Sequence, residues 1–172
     1  MMEAIWSLLG VVLGFVLAEG AQWLKRHRLR IRLRKSLVAE LQSIIRMVPS
    51  KVDVLNQAES HFKAERVMPT QSTRFPRDIY SRIIIETPEI LKEWERDCLH
   101  IIHERLRVVD NSMDSMEERF ISITSSYSRE QAISAAVGSI DDLRGALSKT
   151  SELAQSVIFG ERVDVYALGN EN

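Results

Sequence analysis

Fifteen consecutive positions without a charge, residues 4–18 (AIWSLLGVVLGFVLA), are followed seven positions later by a dense run of positive charge. A helix that is apolar on every side has to be surrounded by something other than water. Glu19 interrupts the run, and Gly20, Ala21, Gln22, Trp23 and Leu24 extend it more weakly. The stretch 4–24 thereby reaches the roughly 20 residues that cross a bilayer as a helix. Trp6 and Trp23 lie about 25 Å apart along such a helix, a spacing that suits opposite interfaces of a thin bilayer. Lys25, Arg26, Arg28, Arg30, Arg32, Arg34 and Lys35 follow, and positive charge beside a helix end holds that end in the cytoplasm. The expectation is a single-pass transmembrane anchor with its N-terminus outside and the remainder cytoplasmic.

Other readings of the segment are weaker. Val16, Leu17 and Ala18 could precede a signal-peptide cleavage site, but the first four residues contain no Lys or Arg and the mature chain would open on seven cations. A presequence for organelle import is Arg-rich and amphipathic, which residues 4–18 are not. A helix lying along a bilayer surface needs a polar face, and none exists here. Gly10, Gly14 and Ala18 fall four apart, the small-residue spacing that lets two helices approach closely. Glu19 beside them reads as an interfacial carboxylate or as a polar contact between associated helices.

Charge divides the chain. Residues 1–35 carry seven basic and two acidic residues, a net +5, and residues 36–172 carry 16 and 22, a net −6. The basic residues of 25–35 recur at helical spacing, and anionic lipid headgroups are their expected partner. The patch has no interleaved aromatics and no nucleic-acid-binding motif follows, so nucleic acid is not expected.

From residue 36 the apolar period is helical. Leu37, Leu41, Ile44, Ile45 and Val48 form one stripe, and Pro49-Ser50 predicts a stop or bend. Val52, Leu55, Ala58 and Phe62 form a second stripe to about residue 67. Residues 68–77 (MPTQSTRFPR) predict a connection. Residues 78–86 predict a short helix, and Thr87-Pro88-Glu89 predicts the start of the next. Leu91, Trp94, Cys98, Ile101, Arg105 and Val108 begin a pattern long enough for about 35 helical residues. Arg105 and Ser112 interrupt it, which favours a bundle face over a coiled-coil zipper. Ser128 and Gln131 predict a capping box before a last helix through Val157. Gly138 and Gly145 within it suggest close packing or a bend. The fold class expected is all-α, an anchor (4–24), a basic juxtamembrane helix (25–35), an antiparallel bundle of about four helices (36–159) and a flexible tail (160–172) in which 163–166 alternates like a short strand.

Chemistry is sparse. Cys98 is the single cysteine, which excludes an intramolecular disulfide and reads as a small buried apolar residue. His100 and His103 share a helix face but lack further ligands at metal-binding spacing, and they are expected at the edge of the long helix. No multi-helix Glu-x-x-His set, nucleophile elbow or phosphate-binding loop occurs. No cofactor, metal or catalytic residue is expected. The function expected is a non-enzymatic, membrane-anchored helical interaction or scaffold protein that self-associates or binds a protein partner. Alternatives are a small oligomeric pore-forming or membrane-disrupting effector, and an enzyme with an unrecognised site in the bundle.

Overall fold

A computed structural model describes residues 2–163 apart from Glu65, Val67 and Gln71, and describes side chains of the first helix from Leu13 onward. The described residues form four α-helices: α1 (Met2–Lys63), α2 (Asp78–Glu86), α3 (Glu93–Ser126) and α4 (Arg129–Phe159), with a 3₁₀ turn at Pro88–Ile90 before α3. No strand occurs among the described residues. This is an all-helical bundle. The 163–166 alternation lies outside the described residues except for Val163, which packs against the core.

The predicted break at Pro49 does not occur, since α1 continues through it. Leu37, Leu41, Ile44, Val48, Lys51, Leu55, Ala58 and Phe62 are spaced alternately four and three apart, so the two stripes are one stripe in phase. Pro49 lies on the exposed side of that helix. Burial of Leu37, Leu41, Ile44, Leu55, Ala58 and Phe62 outweighs the roughly 3 kcal/mol cost of an interior proline. Thr87-Pro88 also differs from expectation, because Pro88 opens the 3₁₀ turn while α3 begins at Glu93.

α4 packs against both α1 and α3. Tyr127 and Ser128 join α3 to α4 as an antiparallel hairpin, with the Gln131 carboxamide accepting the Ser128 N–H at 3.3 Å. α4 ends on Gly160, whose φ of +74° is the left-handed conformation that closes a helix. Gly138 and Gly145 are exposed, and a Cβ at either would meet nothing within 4 Å, so they mediate no close packing. α1 and α3 run parallel: Arg34 meets Glu95, Lys51 meets Asp110 and Phe62 stacks on Phe120. Parallel neighbours need a return path, and residues 64–92 supply it along the groove between α1 and α3. Thr70 Oγ1 donates to the Met113 carbonyl, Arg74 pairs with Asp114 at 2.8 Å and Phe75 is buried.

The single-pass membrane location is corrected. Among the described residues no helix is long and apolar enough to cross a membrane. Within α1, Glu19 interrupts the apolar stretch six positions before the run of cations that begins at Lys25. Trp6 and Gly10 lie among the residues whose side chains are not described. Residues 4–24 and the basic stretch 25–35 belong to the same uninterrupted α1.

Candidate functional site

Two regions depart from an ordinary water-soluble bundle surface and core. The first is the N-terminal arm of α1. Every residue from Leu13 to Arg32 is exposed, and burial begins only at Leu33. Leu13, Phe15, Val16 and Leu17 are 57–67% exposed, and at 100° per residue they cover about 200° of the helix circumference, with Gly14 and Ala18 on the remainder. Gly14, Ala18 and Glu19 share this arm, and a Cβ at Gly14 would meet nothing within 4 Å. Trp23 stacks its ring on His27 at 5.3 Å and otherwise faces outward.

The seven cations divide into two sets. Arg30 pairs with Glu89 at 3.1 Å, and Arg34 grips Glu95, with Nη1 donating at 2.8 Å. These two guanidiniums tie α1 to the start of α3. Burial works to raise the Glu95 carboxyl, but Arg34 and the Lys92 N–H overcompensate and hold it below the usual carboxylate range. Lys25, Arg28 and Arg32 instead rim a shallow hollow floored by Ala21, Leu24 and Leu29. Arg26 donates to Gln22, and Lys35 is exposed. The basic stretch therefore does two jobs on one helix: some charges fasten it and others remain outward.

The second region is a buried polar seam beneath the return segment. Glu40, on α1, accepts the N–H groups of Ile79 and Tyr80 at 2.8 and 3.1 Å. α2 has no side-chain cap of its own, so Glu40 supplies one from a neighbouring helix. Burial raises the Glu40 carboxyl above its ordinary value, and those two N–H groups pull the other way. Tyr80 stacks on His103 with ring centres 4.1 Å apart. Its phenol lies 3.5 Å from His100 Nδ1.

His103 is buried, not at the helix edge as expected. Neither ring nitrogen has a hydrogen-bond partner, and Nε2 lies 3.8 Å from Glu40 Oε1. Burial, with Arg77 and His100 nearby, pushes its pKa down to about 4, so the ring is neutral at neutral pH. A histidine whose folded pKa lies below the ordinary 6.5 or so stabilises the fold above that value, and the stabilisation is lost as pH falls toward 4. The His103→Phe variant keeps the stack on Tyr80 and removes this titration. Wild-type stability relative to His103→Phe is expected to fall by about 3 kcal/mol between pH 7 and pH 4, measured by urea unfolding at each pH. Parallel stability curves for the two proteins would refute that role for His103.

Further along the seam, Lys51 Nζ donates to Asp110 Oδ1 at 2.8 Å. Asp110 Oδ2 accepts the Phe75 N–H at 3.1 Å and lies 3.7 Å from Arg77. The Lys51 ammonium also sits 4.8 Å from the centre of the Phe75 ring. Asp110 thus joins α1, α3 and the return segment at one carboxylate.

Among the described residues no three His, Cys, Asp or Glu side chains are placed to hold a metal ion. Cys98 is fully buried, and that burial raises its thiol pKa. The seam residues Glu40, Lys51, Tyr80 and Asp110 were not singled out by spacing. The available signal was Lys51 falling in phase with the buried stripe of α1.

No family model matches this chain, and neither the curated proteins nor the solved structures yield a match.

Proposed function

We propose that the chain is a non-enzymatic helical interaction protein, in which a bundle holds out the N-terminal end of α1 as an adhesive arm for self-association. The carrying observation is the exposure of Leu13, Phe15, Val16 and Leu17 over more than half the circumference of a helix whose residues from Leu13 to Arg32 are all exposed. Exposed contiguous apolar surface of this kind marks an interaction site. The buried seam fits the same reading, because Glu40, Lys51 and Asp110 are occupied in joining elements of the bundle.

Sedimentation velocity on the full chain tests the arm directly. The wild type is expected to shift toward larger species as concentration rises, and Phe15→Glu/Leu17→Glu is expected to remain monomeric at the same concentrations. A wild type that stays monomeric throughout would overturn the proposal. Unfolding of the double variant at an unchanged urea midpoint separates loss of association from loss of the fold.

A further inference from the structure

α1 keeps one face turned away from the bundle, and the charges on that face are all positive. Lys25, Arg28, Arg32, Lys35, Ala39 and Arg46 follow one another by three, four, three, four and seven positions, and all six are exposed. At 100° per residue they stay within about 80° of arc and run about 32 Å along the axis. The buried stripe of Leu33, Leu37, Leu41 and Ile44 lies about 160° away around the helix, so the bundle sits behind the row of cations and leaves its front open.

No carboxylate shares this face. Between Leu13 and Ser50, α1 carries two, Glu19 and Glu40. Glu19 points to the same side as the buried stripe, and Glu40 is turned to the Ile79 and Tyr80 N–H groups. Among the described residues the five cations have no carboxylate partner, unlike Arg30 and Arg34, which Glu89 and Glu95 hold. Apolar residues accompany the cations. Ala21, Leu24 and Leu29 lie between Lys25, Arg28 and Arg32, and Leu17 continues the same face toward the N-terminus. Leu17, Leu24 and Leu29 are exposed.

We infer that this face of α1 docks on an anionic lipid surface, with the helix lying along the surface and no segment crossing it. Lys25, Arg28, Arg32, Lys35 and Arg46 meet the negative headgroups, and Leu17, Leu24 and Leu29 reach the acyl boundary between them. Long Lys and Arg stems let the charged ends stay at headgroup level while the leucines sit deeper. Nucleic acid would match the cations alone and leave the leucines in water, so lipid answers both halves of the pattern. From Glu19 onward the opposite side of the helix carries Gln22, Arg26 and Arg30, the polar back that a surface-lying helix needs. Phe15 and Val16 lie off this face, so the contact does not depend on self-association through them.

Flotation of the full chain with lipid vesicles tests the surface. Binding is expected to phosphatidylcholine vesicles containing about 30% phosphatidylserine, with little binding to phosphatidylcholine alone and a decline as salt rises. Arg28→Gln/Arg32→Gln is expected to weaken partitioning roughly 30-fold, about fivefold for each cation lost. Arg82→Gln/Arg107→Gln removes the same charge from exposed positions on α2 and α3 and is expected to bind like the wild type. Unchanged urea midpoints in both double variants keep loss of binding apart from loss of the fold. No binding to the phosphatidylserine vesicles at low salt, equal binding to phosphatidylcholine alone, or equal losses in the two double variants would each overturn the inference. Short duplex DNA that binds the chain while those vesicles do not would overturn it and assign the row to nucleic acid. A chain that floats with phosphatidylserine vesicles but stays monomeric in sedimentation would support this inference and overturn self-association.

Discussion

Asp110→Ala is expected to destabilise the chain by about 3–5 kcal/mol, the range found when one member of a buried ion pair is removed and the other is left behind. Lys51 is 4% exposed and Asp110 1% exposed, so water cannot solvate the stranded ammonium. The Phe75 N–H also loses its acceptor, adding an unsatisfied buried donor. The urea midpoint measures the loss. Lys51→Met combined with Asp110→Leu is expected to recover much of it, because a buried ion pair and an apolar pair of similar volume differ little in net stability. Recovery should stop short of wild type, since the Phe75 N–H remains without its acceptor. If the double variant is no more stable than Asp110→Ala, the cost does not come from the stranded charge.

Phe62→Ala is expected to cost about 3–5 kcal/mol for a different reason, the loss of a large core side chain and the cavity that remains. Phe62 is fully buried near the end of α1, and its ring stacks on Phe120 with centres 4.2 Å apart and planes 15° from parallel. It fills the space between two parallel helices, and its removal leaves the Phe120 ring without its packing partner. Phe159→Ala provides the comparison. That ring is 74% exposed at the end of α4, and its removal is expected to change stability by less than about 0.5 kcal/mol. Equal urea midpoints for Phe62→Ala and wild type would show that the Phe62–Phe120 stack does not hold these helices together.

The contrast between Phe62 and Lys51 shows what the sequence makes legible. The helical class, the α3–α4 hairpin and its Ser128–Gln131 start follow from local periodicity and capping chemistry, and the structure contains them. Pro49 misleads because it is a strong local breaker, whereas the phase of Leu37 through Phe62 is the weaker-looking but decisive signal. Lys51 and Asp110 read individually as surface charges, and nothing local connects residues 59 positions apart. His103 is similar, since its burial depends on Tyr80 arriving from a segment whose path periodicity cannot predict. The basic stretch was legible in composition but not in division: Arg30 and Arg34 are committed to Glu89 and Glu95 by a tertiary register. The apolar N-terminal stretch is exposed from Leu13 onward, and the bilayer-spanning assignment is not supported among the described residues.

The parallel course of α1 and α3 also has a consequence during synthesis. Arg34 reaches Glu95 and Lys51 reaches Asp110 across 61 and 59 residues, so α1 leaves the ribosome well before these partners exist. Arg144, which reaches back to Asn56, comes later still, 88 residues after it. At about 5–20 residues per second, α1 waits roughly 4–18 seconds for that contact. α3 and α4 meet across a two-residue turn and face a far smaller closure cost. The natural order is therefore an α3–α4 hairpin that forms by itself and then receives α1, which is translated before it. Throughout that interval the apolar stripe of α1 stays uncovered along with the arm, and a chaperone or a neighbouring nascent chain has its best opportunity to bind. Of these four helices, the one made earliest is the last to be housed.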